Sequence, residues 1–167
     1  MKHLSWKYIA GLVDGEGCLD FQIEHNKKTG AIYIVPRVRL ALVEHSRFLL
    51  ELIQNQCGGN IWDDKRQLRN PNWQNACYWQ LENNRVMDFL QNVTEFLILK
   101  KEQAKLLMWV SLNLRVRGKT VANIELARQV AREELKAMKR DPQRLNEKAV
   151  EKIEQIISTD AIVQTSS

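Results

Sequence analysis

An α+β fold is predicted, an antiparallel sheet of two hairpins packed on helices, and three observations predict it. Residues 18–25 and 31–43 alternate apolar and polar side chains with the period of half-buried strands, and a second extended pair follows at 60–66 and 75–81. Helical periodicity opens the chain, separates the two strand pairs at 46–56, and resumes after residue 84. Glycine, asparagine and proline fall between these segments, so the order is helix, strand pair, helix, strand pair, helix.

In the first helix Leu4, Tyr8 and Leu12 recur at helical spacing, and Ile9 and Val13 widen the stripe. Ser5 is its natural N-cap; Leu4 and Ile9 then have the spacing of a hydrophobic staple, which sets the start near Trp6. Gly15 and Gly17 bracket Glu16 and are expected to end the helix and turn the chain. Asp14 and Glu16 therefore arrive at a helix C-terminus, where the macrodipole is negative and bare carbonyls point outward. An anion is poorly placed there unless a cation is bound, and hard divalent ions such as Mg²⁺ take carboxylate and carbonyl oxygens together. Ala10 and Gly11, with Gly15 one turn on, give the helix a narrow side against which another backbone can pack.

The strand 18–25 places Leu19, Phe21 and Ile23 on one face and Asp20, Gln22 and Glu24 on the other. Asn26, Lys27, Lys28, Thr29 and Gly30 make the hairpin turn. In the returning strand Val38, Leu40 and Leu42 oppose Arg37 and Arg39, and Pro36 suggests a bulge or an edge. Phe48, Leu49, Leu52 and Ile53 give an amphipathic helix stopped at Gly58 and Gly59. The loop 67–74 joins the second strand pair. Trp79 is assigned to the core, whereas Trp62, Trp73 and Tyr78 suit either a core or a base-stacking surface. Helices follow at 84–93, from about Phe96 through Leu114, at 121–138, and at 145–157 after the break at Asp141 and Pro142; a basic connector surrounds Gly118, and the tail from Gln164 is expected to fray.

At 167 residues the chain is expected to be one domain, 1–167. Charged residues make up 27% and apolar ones 44%, with no run long enough for a membrane-spanning helix and no signal or transit pattern at the start. Three cysteines, Cys18, Cys57 and Cys77, lack CxxC spacing, which points away from zinc and toward an intracellular, reducing compartment such as the cytoplasm, nucleoid or an organelle. A net charge of +5 permits nucleic-acid binding without requiring it.

The nine residues Ile9-Ala10-Gly11-Leu12-Val13-Asp14-Gly15-Glu16-Gly17 resemble the LAGLIDADG motif of homing endonucleases, matching conservatively at most positions. Leu99-Lys100-x-x-Gln103-Ala104 at the head of a helix is a second, independent likeness. The resemblance implies the LAGLIDADG fold, a saddle-shaped sheet over a core of about 5–112 with C-terminal helices at about 120–158, dimerising through the motif helix. One copy of the motif implies a homodimer, with Ala10, Gly11 and Asp14 at the interface. It further implies that Glu16 is catalytic and holds Mg²⁺ with the carbonyl of Gly15, that Lys100 stabilises the transition state or perturbs the water network, and that Asp14 is structural before it is catalytic. The polar, often Gln, residue expected after the second strand to position water is not evident among Val43, Glu44 and His45.

On that resemblance the substrate is a long pseudopalindromic double-stranded DNA site, cut to short 3′ overhangs, and the hairpins would lie in the major groove. Asp20, Gln22, Glu24, Asn26, Arg37, Arg39, Lys65, Arg66 and Asn75 are candidate base readers. Lys27, Lys28, Arg69, Lys136, Lys139, Arg140 and Arg144 are candidate phosphate contacts. The alternative is a non-cleaving binder on the same fold, an RNA maturase acting on intron RNA or a DNA-binding regulator. Glu16, Gly15 and Lys100 favour cleavage, because binding alone needs no metal-holding acid. A basic interaction module with no nucleic-acid partner ranks last.

Overall fold

The computed structural model describes residues 3–25, 27–28, 32–114 and 122–164. In chain order the elements are α1 (Trp6–Glu16), β1 (Gly17–His25), β2 (Ile32–Val43), α2 (Arg47–Cys57), β3 (Asn60–Asp64), β4 (Ala76–Glu82), α3 (Asn84–Val93), α4 (Lys101–Asn113), α5 (Ala122–Arg140) and α6 (Asn146–Gln164). Single 3₁₀ turns lie at Glu44–Ser46, Arg66–Leu68 and Thr94–Phe96. The strands form one four-stranded sheet in the order β1-β2-β4-β3, so the architecture is α+β as predicted. Two compact units divide the chain, Met1–Leu19 with Arg37–Ile98, and Asp20–Pro36 with Leu99–Ser167.

In the first unit α1 begins where its cap dictates: the Ser5 hydroxyl accepts the Tyr8 N–H at 3.3 Å. Ile9, Ala10 and Val13 are fully buried. The Gln56 amide of α2 clamps the strand of chain before α1, accepting from Leu4 N–H at 3.0 Å and donating to the Leu4 carbonyl at 3.2 Å. Trp79 is fully buried as predicted, lying against Phe89 with ring centres 5.5 Å apart and donating its indole N–H to the Gly58 carbonyl at 2.8 Å. Gly58 and Gly59 have φ of 77° and 91°, and a Cβ on Gly59 would stand 2.7 Å from that indole nitrogen. The α2 stop and the tryptophan pocket are thus one construction.

α1 ends by a different device from the one predicted. Gly15 is still helical, and Gly17 is extended with φ −85°, its N–H bonded to the Val13 carbonyl. Glycine is required there for space, since a Cβ would lie 2.4 Å from the Val13 oxygen. The chain passes directly from helix into strand.

Antiparallel pairing sets Arg37 opposite Glu82, Arg39 opposite Gln80 and Ala41 opposite Tyr78; on the other side of β4, Trp62 pairs with Tyr78 and Asp64 with Ala76. Two boundaries differ from expectation. β3 stops at Asp64, so Arg66 lies in a 3₁₀ turn, because the Asp64 carboxylate gathers Arg66 and Arg69 and curls the chain back. β2 is an interior strand, so Pro36 is not on an edge; its ladder to β4 begins only at Arg37, which leaves the missing N–H outside that ladder. A third difference concerns α4, which starts at Lys101 rather than near Phe96, since Leu97 is extended.

In the second unit α4, α5 and α6 pack on one another over Ala104, Leu107, Val110, Ala127, Ala131, Leu135, Met138, Ala149 and Ile153, all buried. Gln103 is buried too, its amide 3.4 Å from the Met138 carbonyl. Glu102 accepts the Asn146 N–H at 3.1 Å and so caps α6. Helix α6 extends to Gln164, beyond the predicted end; the basic connector around Gly118 and the last residues of the tail lie outside the described residues. Among the described residues no helix is long and apolar enough to cross a membrane.

Candidate active site and nucleic-acid interface

Glu16 is the last residue of α1, exposed, and among the described residues none donates a hydrogen bond to its carboxylate. It opens onto a cavity of ≈ 880 Å³ lined also by Val43, Asp64, Arg66, Arg69, Trp73 and Gln74. Asp14 is engaged elsewhere: its Oδ2 accepts the Ile98 N–H at 2.7 Å, tying the helix end to the chain after α3. Gly15 is exposed in the last turn, where helix carbonyls lack intrahelical partners. Among the described residues no group of three or more His, Cys, Asp or Glu is gathered. One protomer thus offers a carboxylate and outward carbonyls, a hard-oxygen set that fits Mg²⁺ or Ca²⁺ as a partial shell, to be completed by oxygens from water, phosphate or a second chain.

The outer side of α1 carries Gly11 and Gly15 one turn apart, and a Cβ at either would meet nothing within 4 Å. Tyr8, on the same side, is 46% exposed, and Phe96 and Ile98 of the adjoining segment are 41% and 85% exposed. Lys7 stands over the Phe96 ring at 5.7 Å. Ala10 does not belong to this surface: it is fully buried within its own protomer, because it falls on the inward stripe with Ile9 and Val13.

The outward sheet face follows from the register; Trp62 on it is exposed and its other side chains are half-buried. Arg37 and Arg39 of β2, Tyr78, Gln80 and Glu82 of β4, and Trp62 of β3 alternate with the buried Val38, Leu40, Cys77, Trp79 and Leu81. Arg39 reaches Cys18 at 3.9 Å, and Gln80 donates to Glu82 at 2.6 Å. The alternation in Tyr78-Trp79-Gln80-Leu81-Glu82 places Gln80 and Glu82 on this face with Tyr78, although neither Gln80 nor Glu82 is among the candidate readers. Trp62 and Tyr78 resolve to this face, stacked with ring centres 5.6 Å apart and planes 13° apart.

Beside them the loop after β3 is braced by charge. Asp64 accepts from Arg66 Nε at 3.1 Å and Arg69 Nη2 at 2.7 Å. Burial pushes the Asp64 carboxyl up, and the two guanidinium hydrogen bonds outweigh it, leaving it below the usual range. Arg66 also donates to the Tyr78 hydroxyl. Lys65 is paired with Glu44, and Asn75 donates to Glu44 at 2.8 Å while accepting from Gln67 N–H at 3.1 Å. The hydrogen bond from Lys65, then that from Asn75, holds the Glu44 carboxyl below its ordinary value. Asn75 is therefore occupied in closing the loop rather than presented outward.

Asp20 is half-buried and caps its neighbour, accepting the Phe21 N–H at 2.8 Å; Gln22 is half-buried, and Glu24, Lys27 and Lys28 are exposed. Asn26 lies outside the described residues. Lys100 occupies the position before α4, partly exposed, its carbonyl accepting from Ala104 at 2.9 Å. Lys139 and Arg140 are exposed in the last turn of α5. Two expected phosphate contacts are engaged in ion pairs within this unit: Lys136 pairs with Glu133, and Arg144 with Lys152 holds Glu134, whose side chain is buried.

A glycine-seamed helix ending in an exposed acid, set against a sheet with one basic, aromatic face, defines a class of α+β protein with a single motif helix. The chain matches the family model described as LAGLIDADG endonuclease over residues 9–111 and belongs to that family. No curated protein matches it. Among solved structures it is similar to the homing endonuclease I-CvuI in complex with its target, with TM-score 0.67 and 17% identity over 90% of this chain and 93% of that one. It is similar also to the archaeal intron-encoded homing endonuclease I-Vdi141I complexed with DNA, with TM-score 0.60 and 22% identity over 90% and 95% of the two chains. A third, the homing endonuclease I-TnaI, has TM-score 0.57 and 21% identity over 93% and 99%.

Proposed function

We propose that the protein is a single-domain, homodimeric, Mg²⁺-dependent homing endonuclease that cuts both strands of a long pseudopalindromic DNA site and leaves short 3′ overhangs. The observation that carries the reading is Glu16, an exposed carboxylate at the tip of the motif helix that no described residue pairs with, opening onto a cavity that also holds Arg66 and Arg69. An unpaired acid at a helix C-terminus opposes the macrodipole and contributes nothing to folding, so a bound cation is what gives it a use.

Glu16 and the Gly15 carbonyl would hold Mg²⁺, which supplies Lewis acidity and an acidified water when bound. Asp14 fixes the helix end through Ile98 N–H, which keeps Glu16 in place. Two protomers packed along Gly11 and Gly15, flanked by Tyr8, Phe96 and Ile98, would bring two copies of Glu16 together, one for each strand. Lys100 is assigned to the charge that develops on the phosphorane. The sheet face with Arg37, Arg39, Gln80 and Glu82 would read base edges in the major groove; I-CvuI and I-Vdi141I, which share the fold, are themselves in complex with target or DNA, which supports a DNA partner. Lys27, Lys28, Arg69, Lys139 and Arg140 remain candidate phosphate contacts, and Asp20, Gln22, Glu24 and Asn26 candidate readers in the first hairpin. Glu16→Gln should abolish cutting of a target plasmid in Mg²⁺ while DNA retention persists; Mg²⁺-dependent cutting by that variant would remove Glu16 from the metal site.

A further inference from the structure

Asp64 is the last residue of β3, held in register opposite Ala76, so the sheet fixes where its carboxylate stands. Both of its oxygens are used. Oδ2 takes the Nε–H of Arg66 at 3.1 Å and Oδ1 an Nη2–H of Arg69 at 2.7 Å. Arg66 is confined from a second side as well, since it donates through Nη2 to the Tyr78 hydroxyl and its guanidinium carbon lies 5.6 Å from the centre of the Tyr78 ring. Tyr78 is itself stacked on Trp62. The guanidinium is thus held through Nε and Nη2, and among the described residues none accepts from Nη1 or from a second Nη2 hydrogen, which form its outer end.

That outer end is a planar fork of parallel donors, the shape that matches the O6 and N7 acceptors of guanine in the major groove. An unrestrained arginine would lose rotamer freedom to reach such a geometry. Arg66 has lost it already. Arg69 is different: its side chain is 62% exposed and, among the described residues, tethered through one nitrogen, which suits a phosphate contact that positions without reading. An acid at this place also repels phosphate, so it lowers affinity for random DNA while it sharpens the arginine beside it.

We propose that Asp64 is a positioning residue for specificity, fixing Arg66 as a guanine reader within each half-site and holding Arg69 beside it as a phosphate anchor. The proposal rests on the DNA-binding reading of the sheet face. It predicts two opposite effects of one substitution. Asp64→Asn removes a negative charge, so retention of random duplex rises severalfold, while the guanidinium loses its restraint, so discrimination for guanine at one position falls about tenfold.

The test is a binding selection with the full chain on a randomised duplex library in Ca²⁺, the ion present in the I-CvuI target complex. Wild type is compared with Asp64→Asn, Arg66→Lys, Tyr78→Phe and Glu133→Gln. The last makes the same charge change at an exposed ion pair on α5. The proposal expects Asp64→Asn and Arg66→Lys to flatten the same guanine position, Tyr78→Phe to flatten it partly, and Glu133→Gln to raise random retention with every preference intact. Should Asp64→Asn melt far below wild type, Arg66→Lys and Tyr78→Phe carry the test, and a shared loss at one guanine supports it. An Asp64→Asn profile as sharp as wild type, or one flattened evenly at all positions, overturns the proposal while leaving the DNA-binding reading intact. Wild type that enriches no duplex overturns both.

Discussion

Gly11→Ala separates what the protomer needs from what its assembly needs. Glycine inside a helix costs about 0.8–1 kcal/mol relative to alanine. Nothing within one protomer repays that cost, since a Cβ on Gly11 meets no atom within 4 Å. Alanine should therefore stabilise the isolated protomer by about 1 kcal/mol, which for a chain of this length raises Tm by roughly 2–4 °C. The same methyl group, and more so the side chain of Gly11→Leu, would hold two α1 helices apart if they pack along this seam. Because dimerisation itself raises apparent Tm, the melts are run at nanomolar protein, and sedimentation velocity at micromolar protein reports assembly. The expected result is an alanine protomer more stable than wild type with a weakened dimer, and a leucine variant that sediments as a monomer and does not cut. A leucine variant that dimerises with wild-type affinity would refute packing through Gly11. A less stable alanine protomer would show that the glycine serves the monomer instead.

Three further outcomes follow from the geometry. Gly17→Ala should destabilise the protomer by about 1–3 kcal/mol in chemical denaturation, because its Cβ would stand 2.4 Å from the Val13 oxygen; an unchanged midpoint would mean the junction yields freely. Burial raises the carboxyl of Glu134, but hydrogen bonds from Lys152 and Arg144 outweigh it and leave the pKa depressed. Its contribution is then present above the unfolded carboxylate range and lost as pH falls through the folded value, so Glu134→Gln should cost roughly 2 kcal/mol at pH 7 and progressively less as pH falls below the unfolded carboxylate range; a penalty independent of pH would deny the ion pairs. Burial pushes the Cys57 thiol up to about 11. Alkylation of Cys57 at pH 8 should be on the order of a hundredfold slower in the native protein than in denaturant, read by mass spectrometry, and equal rates would contradict its burial.

The order of helices and strands through residue 93 was legible because each element carries its own period, and the sheet alternation at Val38, Leu40, Trp79 and Leu81 matches the buried face. Ser5 was legible as a cap because its chemistry is local. What escaped depends on partners distant in sequence. Gly17 looked like a turn glycine, whereas its constraint is the Val13 carbonyl one turn behind. The start of α4 was misjudged because Ile98 gives its N–H to Asp14, 84 residues away. Ala10 lies in a run of small residues, and only the inward stripe of α1 decides which way it faces. Among the candidate DNA contacts, charge alone marked Lys65, Arg66, Arg69 and Arg144, but composition does not reveal that Glu44, Asp64 and Glu134 already engage them.

The central claim, that Glu16 makes this fold a nuclease, is tested most directly by a cleavage selection. Wild type and Glu16→Gln are incubated with a randomised duplex library in Mg²⁺ and in Ca²⁺, and the cut ends are sequenced. Enrichment of one pseudopalindromic site with 3′ overhangs, by wild type in Mg²⁺ alone, is the predicted result. Wild type that retains DNA or structured RNA without cutting it in Mg²⁺ would contradict the account and leave the protein a binder on an endonuclease fold.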